Sequence, residues 1–332
     1  PVPGIGPGPS SAIAETPEAI DAPAAAEPGD VVPVRFGAAA EEAPDARGEF
    51  RVELAAPDGT VVAEGKSFVR KEERYSLLGV PSSAKGGTYE LRVFAPQSAL
   101  TSEGTPISEG GLASEGSLDL LSVRKIEIRP RSFAHEEIPL RQSLTALRRN
   151  PDPEKAREAV EIRSLYRSFD NGSVYEEGTW NEPVDYTRIS GGFGDRRQYH
   201  YSDGATAEWI HTGVDLAAPS GTPVRAVGEG RVVMAKERIV SGYTVVLEHL
   251  PGVYSIYFHL DALGVEKGQM VHRDETIGTV GMTGLATGPH LHWEVRVQGV
   301  PVDPWVLTKK SIFDSINVTE EPAVGPQESE GG

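Results

Sequence analysis

"TGPHLHWEVR", residues 287–296, sets His290 and His292 two positions apart in a chain of 332 residues that holds 8 histidines. Side chains two apart on a strand leave the same face, so an extended HLH segment aims both imidazoles one way. A second pair occurs upstream in "HTGVD", where His211 and Asp215 lie four apart with Gly213 between them. On an extended segment these positions also share a face, so two strands can direct both pairs at one spot.

Composition supports a strand-based reading. The chain is 38% hydrophobic and 24% charged, and its 37 Gly and 26 Pro indicate many turns. A net charge of −17 opposes the phosphate backbone of nucleic acid, and no basic run interleaved with aromatics offsets it. Without cysteine there are neither disulfides nor thiolate metal ligands, which leaves any metal to His and carboxylate. No apolar run is long enough to cross a bilayer as a helix. The opening "PVPGIGPGPSS" is read as the start of a processed chain whose signal peptide has been removed.

The chain divides by texture. Residues 1–30 are Pro, Ala, Gly and acid, read as a disordered tail because they offer little apolar surface to offset chain entropy. Residues 31–130 alternate apolar with polar in "VVPVRF", "EFRVELAAPDGTVVAEGKSFV" and "TYELRVFAP", with a turn at Pro57-Asp58-Gly59. They are expected to form a small antiparallel β-sandwich. Within it Ser-Glu-Gly recurs at 102, 108 and 114; with no stacking apolar residue, this is read as a flexible acidic loop rather than a solenoid turn.

Residues 131–185 are expected to be a helical connector with two helices over 136–170. Asp152 would cap the second, Pro153 would open it, and Ala159, Ile162, Tyr166 and Phe169 would form one face before Asn171-Gly172. Residues 186–308 are short β segments punctuated by Gly. "SGTPVRAVGEGRVV" (220–233) and "KGQMVHRDETIGTV" (267–280) echo each other faintly, as in a sandwich or barrel built from related hairpins. Residues 309–332 read as an acidic flexible tail. The fold class is therefore mainly β.

Zinc accepts imidazole and carboxylate, and a catalytic site keeps one coordination position open. His211, Asp215 and His292 can supply three ligands, leaving His290 and His259 to face the reacting atoms. His135, His200, His249 and His272 carry no such pattern and are read as bystanders. On spacing alone, metal binding and ordinary structural roles both stand open. A helical zincin is excluded, since the HEEIP at 135 runs into a proline. Two His and a carboxylate also describe iron oxygenases, which usually separate His and Asp by one residue where this chain has three.

The surrounding residues carry a resemblance. "SGGFGDR" (190–196), "HTGVDLAAPSGTPVRAVGEGRVV" (211–233), "GYTVVLEH" (242–249), "YSIYFHL" (254–260), "IGTVGMTGLATGPHLHWEVR" (277–296) and "VDPW" (302–305) together resemble peptidase family M23. These are the LytM and lysostaphin-type zinc endopeptidases that act on peptidoglycan peptides. The resemblance covers about residues 186–305 and implies an M23-like antiparallel β-sandwich or barrel. It implies Zn2+ on His211, Asp215 and His292, with His259 and His290 as catalytic residues. The departure is "QYHYSDGATAEWI" (198–210), longer and more aromatic than in minimal members.

The expected function is hydrolysis of peptide bonds in peptidoglycan cross-links or stem peptides, in the periplasm or outside the cell. The metal would activate water and polarise the scissile carbonyl. No Glu of the motif is placed as base, so an imidazole takes the proton: His290 as base with His259 donating to the oxyanion, or the reverse. The alternative is a zinc-retaining but latent protein that binds cell wall or activates another hydrolase. Tyr257, Arg196 and Trp293 are assigned to packing, and Gly281, Gly284 and Gly288 to tight turns beside the HLH strand. The scissile bond, protein partners, oligomeric state and role of the N-terminal β domain stay open.

Overall fold

The eight strands of the N-terminal part form one path that bends back on itself. In the structure, a computed structural model, residues 20–37, 50–96 and 118–316 are described. The strands are β1 (Ile20–Asp21), β2 (Ala25–Ala26), β3 (Val31–Phe36), β4 (Arg51–Ala55), β5 (Val61–Arg70), β6 (Glu73–Gly79), β7 (Gly87–Pro96) and β8 (Leu118–Ile128). Their order is β1-β3-β6-β5-β4-β7-β8-β2.

β5 makes the bend: Val61–Lys66 pair with β4, whereas Ser67–Arg70 pair with β6. Gly65 sits at the crossing, where a Cβ would lie 2.8 Å from Leu78 and Ser76 side-chain atoms. The two leaves therefore enclose a core that includes Phe50, Leu54, Leu78, Leu91 and Ile126, and the alternating pattern of the sequence faces it from both sides.

The disordered tail expected through residue 30 needs correcting from residue 20 onward. β1 pairs with β3 and β2 with β8, so the chain bridges the two edges of the path, and Ile20, Ala22 and Ala26 are buried. Backbone pairing, two small alanines and a single Ile hold this seam, too little bulky apolar surface to register in a reading of average composition. Residues 1–19 and the Ser-Glu-Gly segment lie outside the described residues, as do 317–332.

The connector begins with a strand rather than a helix. β9 (His135–Pro139) pairs in parallel with β11 (Arg196–His200), which also carries β12 (Thr206–Ile210). Pro139 has no N–H to give a helix, and the alternating exposure of β9 suits a sheet edge. Two helices follow, α1 (Gln142–Arg149) and α2 (Pro153–Tyr166). Asp152 caps α2, its side chain accepting from the Glu154 N–H at 2.7 Å. Ile162 and Tyr166 pack on Met234, Val246, Tyr254 and Ile256. The helix stops at Tyr166, so Phe169 is not on its face and instead meets Phe68.

The second sheet has ten strands. They are β10 (Arg188–Gly191), β13 (Gly213–Ala217), β14 (Pro223–Arg225), β15 (Gly230–Arg238), β16 (Gly242–Leu250), β17 (Val253–Leu263), β18 (Met270–Val271), β19 (Thr276–Val280), β20 (His290–Val297) and β21 (Val300–Val302). The main order is β10-β13-β20-β17-β16-β15-β18. The two echoing segments pair with each other, β14 on β19 and β15 on β18, both antiparallel. The faint repeat in sequence is thus a repeat in pairing.

The two sheets share apolar contacts. Val31, Phe68, Tyr75 and Leu77 belong to the core of the second sheet. Gln298 spans the junction, its Oε1 accepting from Lys66 N–H at 2.7 Å and its Nε2 donating to the Lys66 and Leu77 carbonyls. Asp303 caps α3 (Pro304–Lys309) and pairs with Arg131 at 2.6 Å. The flexible tail expected from 309 also needs correcting, because Ile312 and Phe313 are buried. Phe313 lies 5.1 Å from the Tyr75 ring and beneath Arg70. Two bulky residues anchor a segment whose average composition is polar.

Candidate metal centre and catalytic cleft

β13 and β20 are antiparallel neighbours in a register that places Asp215 opposite His292 and Ala217 opposite His290. Opposed residues project from one face of a sheet, so the three side chains that carry chemistry meet there. His211 precedes β13, held by backbone bonds between its N–H and the Asp195 carbonyl and between its carbonyl and the Gly194 N–H. Gly213 lets this segment close on β20, since a Cβ there would lie 2.4 Å from the Trp293 carbonyl oxygen.

Three ligand atoms converge. His211 Nε2 is 3.1 Å from Asp215 Oδ1 and 3.0 Å from His292 Nδ1, and His292 Nδ1 is 2.9 Å from Asp215 Oδ1. The triangle is small enough for one ion at ligand distances of about 2.0–2.2 Å to touch every corner. The outer atoms explain why these corners are lone pairs. His211 Nδ1 lies 2.7 Å from the Gly192 carbonyl and therefore donates to it. His292 Nε2 lies 3.3 Å from Glu294 Oε2. With the protons drawn outward, two bare nitrogens and a carboxylate oxygen face one another, an arrangement that needs a cation between them.

The titration of the group gives the same result. Burial opposes a charge on His292, yet the Asp215 and Glu294 carboxylates outweigh it and push the imidazole up to about 9. Burial likewise opposes ionisation of Asp215, and the two imidazoles override it, holding the carboxyl well below its usual range. The pocket thus binds positive charge even when protons alone supply it. Zinc chemistry suits this donor set of two nitrogens and one oxygen.

Supporting residues surround the triad. Arg197 Nη2 donates to Asp215 Oδ2 at 2.7 Å, and its Nε donates to Glu136 Oε2 at 2.7 Å, so one guanidinium ties β11 to β13 and to β9. Gly191 makes room for it, as a Cβ there would lie 2.0 Å from Arg197 Nη2. Thr212 Oγ1 donates to Glu294 at 2.7 Å, and the Phe258 ring stacks on His292 at 5.2 Å.

Arg197, Glu136, Gly191, Thr212 and Glu294 were all absent from the expectations. Two-residue spacing from His292 along β20 would have found Glu294. No local signal links Glu136 to Asp215.

His259 and His290 form the other wall, with ring centroids 4.9 Å apart. His290 Nδ1 lies 2.8 Å from the Gly288 carbonyl and His259 Nδ1 lies 2.8 Å from the Thr283 carbonyl. Each ring therefore turns an unprotonated Nε2 toward the cleft when neutral, and His290 Nε2 stands 3.6 Å from Asp215 Oδ1. Burial, reinforced by His290 and His292, lowers His259 to about 3, and burial also lowers His290. Both are neutral near pH 7. His259 holds a left-handed φ of 61°, uncommon for a side chain of its size, with its N–H bound to the Ser241 carbonyl at 2.9 Å.

Tyr257 is fully buried, its hydroxyl accepting from the Val227 N–H at 3.2 Å. Trp293 lies in the core, and Arg196 donates to the Gly194 and Ser82 carbonyls. Gly281 and Gly284 do permit close approach, with Cβ positions 2.5 Å from Asp261 N and 2.4 Å from the Val240 carbonyl oxygen. Gly288 has no such neighbour within 4 Å. His249 is buried, Nδ1 on the Glu229 carbonyl and Nε2 on Ser255. The triad opens into a cleft of about 720 Å3, bounded by β9, Arg148 of α1, Arg188, Trp209 and the 285–290 segment.

Residues 209–304 match the family model for peptidase family M23. The chain is 43% identical over 137 residues to the DD-carboxypeptidase/endopeptidase Mpg of Neisseria meningitidis serogroup B, covering 41% of this chain and 30% of that protein. It is 38% identical over 140 residues to the peptidoglycan DD-endopeptidase ShyB of Vibrio cholerae serotype O1, covering 41% and 32%. The matches thus span less than a third of either relative's length. A crystal structure of an M23 peptidase from Pseudomonas aeruginosa aligns over 85% of this chain and 93% of its own, at 24% identity and a TM-score of 0.55. That likeness shows the fold.

Proposed function

Starting from the membership of its 209–304 segment in peptidase family M23, we propose that this chain is a zinc-dependent endopeptidase that cleaves peptide cross-links of peptidoglycan. The cell envelope, where that polymer lies, is its place of action. The names of the relatives, which are DD-endopeptidases, support a bond between D-centres as the target. The observation that carries the reading is the convergence of His211 Nε2, Asp215 Oδ1 and His292 Nδ1 with their ring protons committed elsewhere.

Zinc held by these three residues would lower the pKa of water and polarise a carbonyl. His290 Nε2, nearer the triad, takes the proton of the attacking water, because its Nδ1 proton is fixed on the Gly288 carbonyl and its Nε2 is free. The resulting imidazolium passes that proton to the departing amine. His259, its Nδ1 proton held on the Thr283 carbonyl, takes a second proton from solvent at Nε2 as the oxyanion develops and donates it there, while the water-derived proton stays with His290 for the departing amine. Arg197 and Glu294 hold Asp215 and His292 in place.

The test is incubation of the zinc-quantified protein with isolated sacculi, with the released peptides identified by mass spectrometry. Loss of cross-linked species, abolished by a chelator and restored by zinc, is the expected result. A zinc-loaded protein that leaves cross-links intact, even after limited proteolysis within α1, which leaves Glu136 and its bond to Arg197 in place, overturns the reading. That last arm covers a latent form. Arg148 of α1 lies over the Tyr199 ring at 4.3 Å and the Trp209 ring at 5.2 Å, bracing one side of the cleft.

A further inference from the structure

Three arginines line the cleft, and two are committed. Arg197 is buried between Asp215 and Glu136. Arg148 donates to the Tyr201 hydroxyl at 3.1 Å and lies over two aromatic rings. Arg188, on β10, is exposed and has no ion pair or side-chain hydrogen bond with any of the described residues. The cleft's own carboxylates are also spoken for, Glu136 by Arg197 and Glu137 by His200.

The register places this cation in line with the catalytic wall. Arg188 is opposite Ala217, and Ala217 is opposite His290. Directly opposed side chains share a face, so Arg188, Ala217 and His290 form one row across three strands, with Arg188 and His290 roughly 10 Å apart at Cα. The intervening side chain is only a methyl group, which leaves the floor between them open. In a protein of net charge −17, the overall field repels anions, and an anionic ligand needs a local cation to enter.

We propose that Arg188 is a specificity-determining residue that binds a free carboxylate of the substrate peptide, within about three residues of the scissile bond by the length of extended chain that spans the row. The proposal rests on reading the cleft as a peptidase site. The planar guanidinium offers two parallel donors matched to a carboxylate. Arg188 touches neither the metal ligands nor His259, so it governs which peptides bind and leaves the chemical step alone.

The experiment uses the full zinc-loaded chain and cross-linked muropeptides released from sacculi by a muramidase, before and after conversion of their free carboxylates to carboxamides. For the wild type, amidation is expected to raise KM about tenfold or more with kcat little changed, the size of a lost charge-assisted hydrogen bond. For Arg188→Gln, amidation should change nothing, and Arg188→Lys should recover part of the preference because it keeps the charge and loses the fork. Equal sensitivity to amidation in wild type and R188Q, or none in wild type, overturns the proposal. Binding of the same fluorescently labelled muropeptides to chelator-treated wild type and R188Q, read by anisotropy, decides it independently of turnover. Absence of hydrolysis with a wild-type carboxylate preference that R188Q loses sinks the peptidase reading and keeps the receptor. Binding without that preference sinks the receptor.

Discussion

Arg197 Nη2 stands 2.7 Å from Asp215 Oδ2, while the other oxygen of that carboxylate faces His292 Nδ1 at 2.9 Å. The arginine thus decides which oxygen remains for a metal. Arg197→Gln should weaken zinc affinity about 10- to 100-fold, the usual effect of removing a group that orients a ligand, as read by competition with a chromophoric chelator. Arg197→Lys should fall between, since an ammonium cannot bridge Asp215 and Glu136 in one plane. Unchanged affinity in R197Q would mean that the backbone alone positions Asp215.

The five-residue cluster should split into two classes when alanine replaces each member. His292→Ala, His211→Ala and Asp215→Ala should lose bound zinc. His290→Ala and His259→Ala should keep it and lose about 10²- to 10⁴-fold in kcat, the range for a proton-transferring group. Metal content by elemental analysis, beside turnover of muropeptides, separates the classes. A His290→Ala protein that retains wild-type kcat removes that residue from the mechanism.

Zinc must displace the proton that His292 carries in the metal-free protein. With this imidazole at about 9, apparent zinc affinity should climb about tenfold per pH unit from pH 7 toward 9 and level off above that. Chelator competition across this range checks it. A flat profile would show that His292 is already unprotonated at neutral pH.

Acid should destabilise the fold through His249, far from the triad in sequence and buried beside Trp180. Burial lowers this imidazole from 6.5 to about 4, so the unfolded chain binds a proton that the native state refuses. The stability from keeping His249 neutral is complete above pH 6.5 and is lost as the pH falls toward 4, by up to about 3 kcal/mol. The ring protons of His249 followed by NMR should keep their neutral shifts down to about pH 4. Titration near 6.5 would refute this.

Much of the site was legible in sequence because a strand has a period of two. HLH on a strand has one geometry, and the H-x-x-x-D pair lies beside it once β13 and β20 are neighbours. The strand period also predicts the N-terminal sandwich from alternating residues. It does not reveal β1 and β2, two-residue strands held by backbone pairing, or β9, whose partner β11 lies some sixty residues away.

Local spacing therefore determined the mainly β class, the histidines that face one way and the capped start of α2. Those features follow from bond geometry within a few residues. Only the folded chain decided that Arg197 would hold Asp215 from a third strand, that Glu136 would brace Arg197, and that Arg188 would stand exposed in line with His290. Such contacts are set by which strands become neighbours, and that depends on burying two apolar cores together, a property of the whole chain rather than of any one stretch.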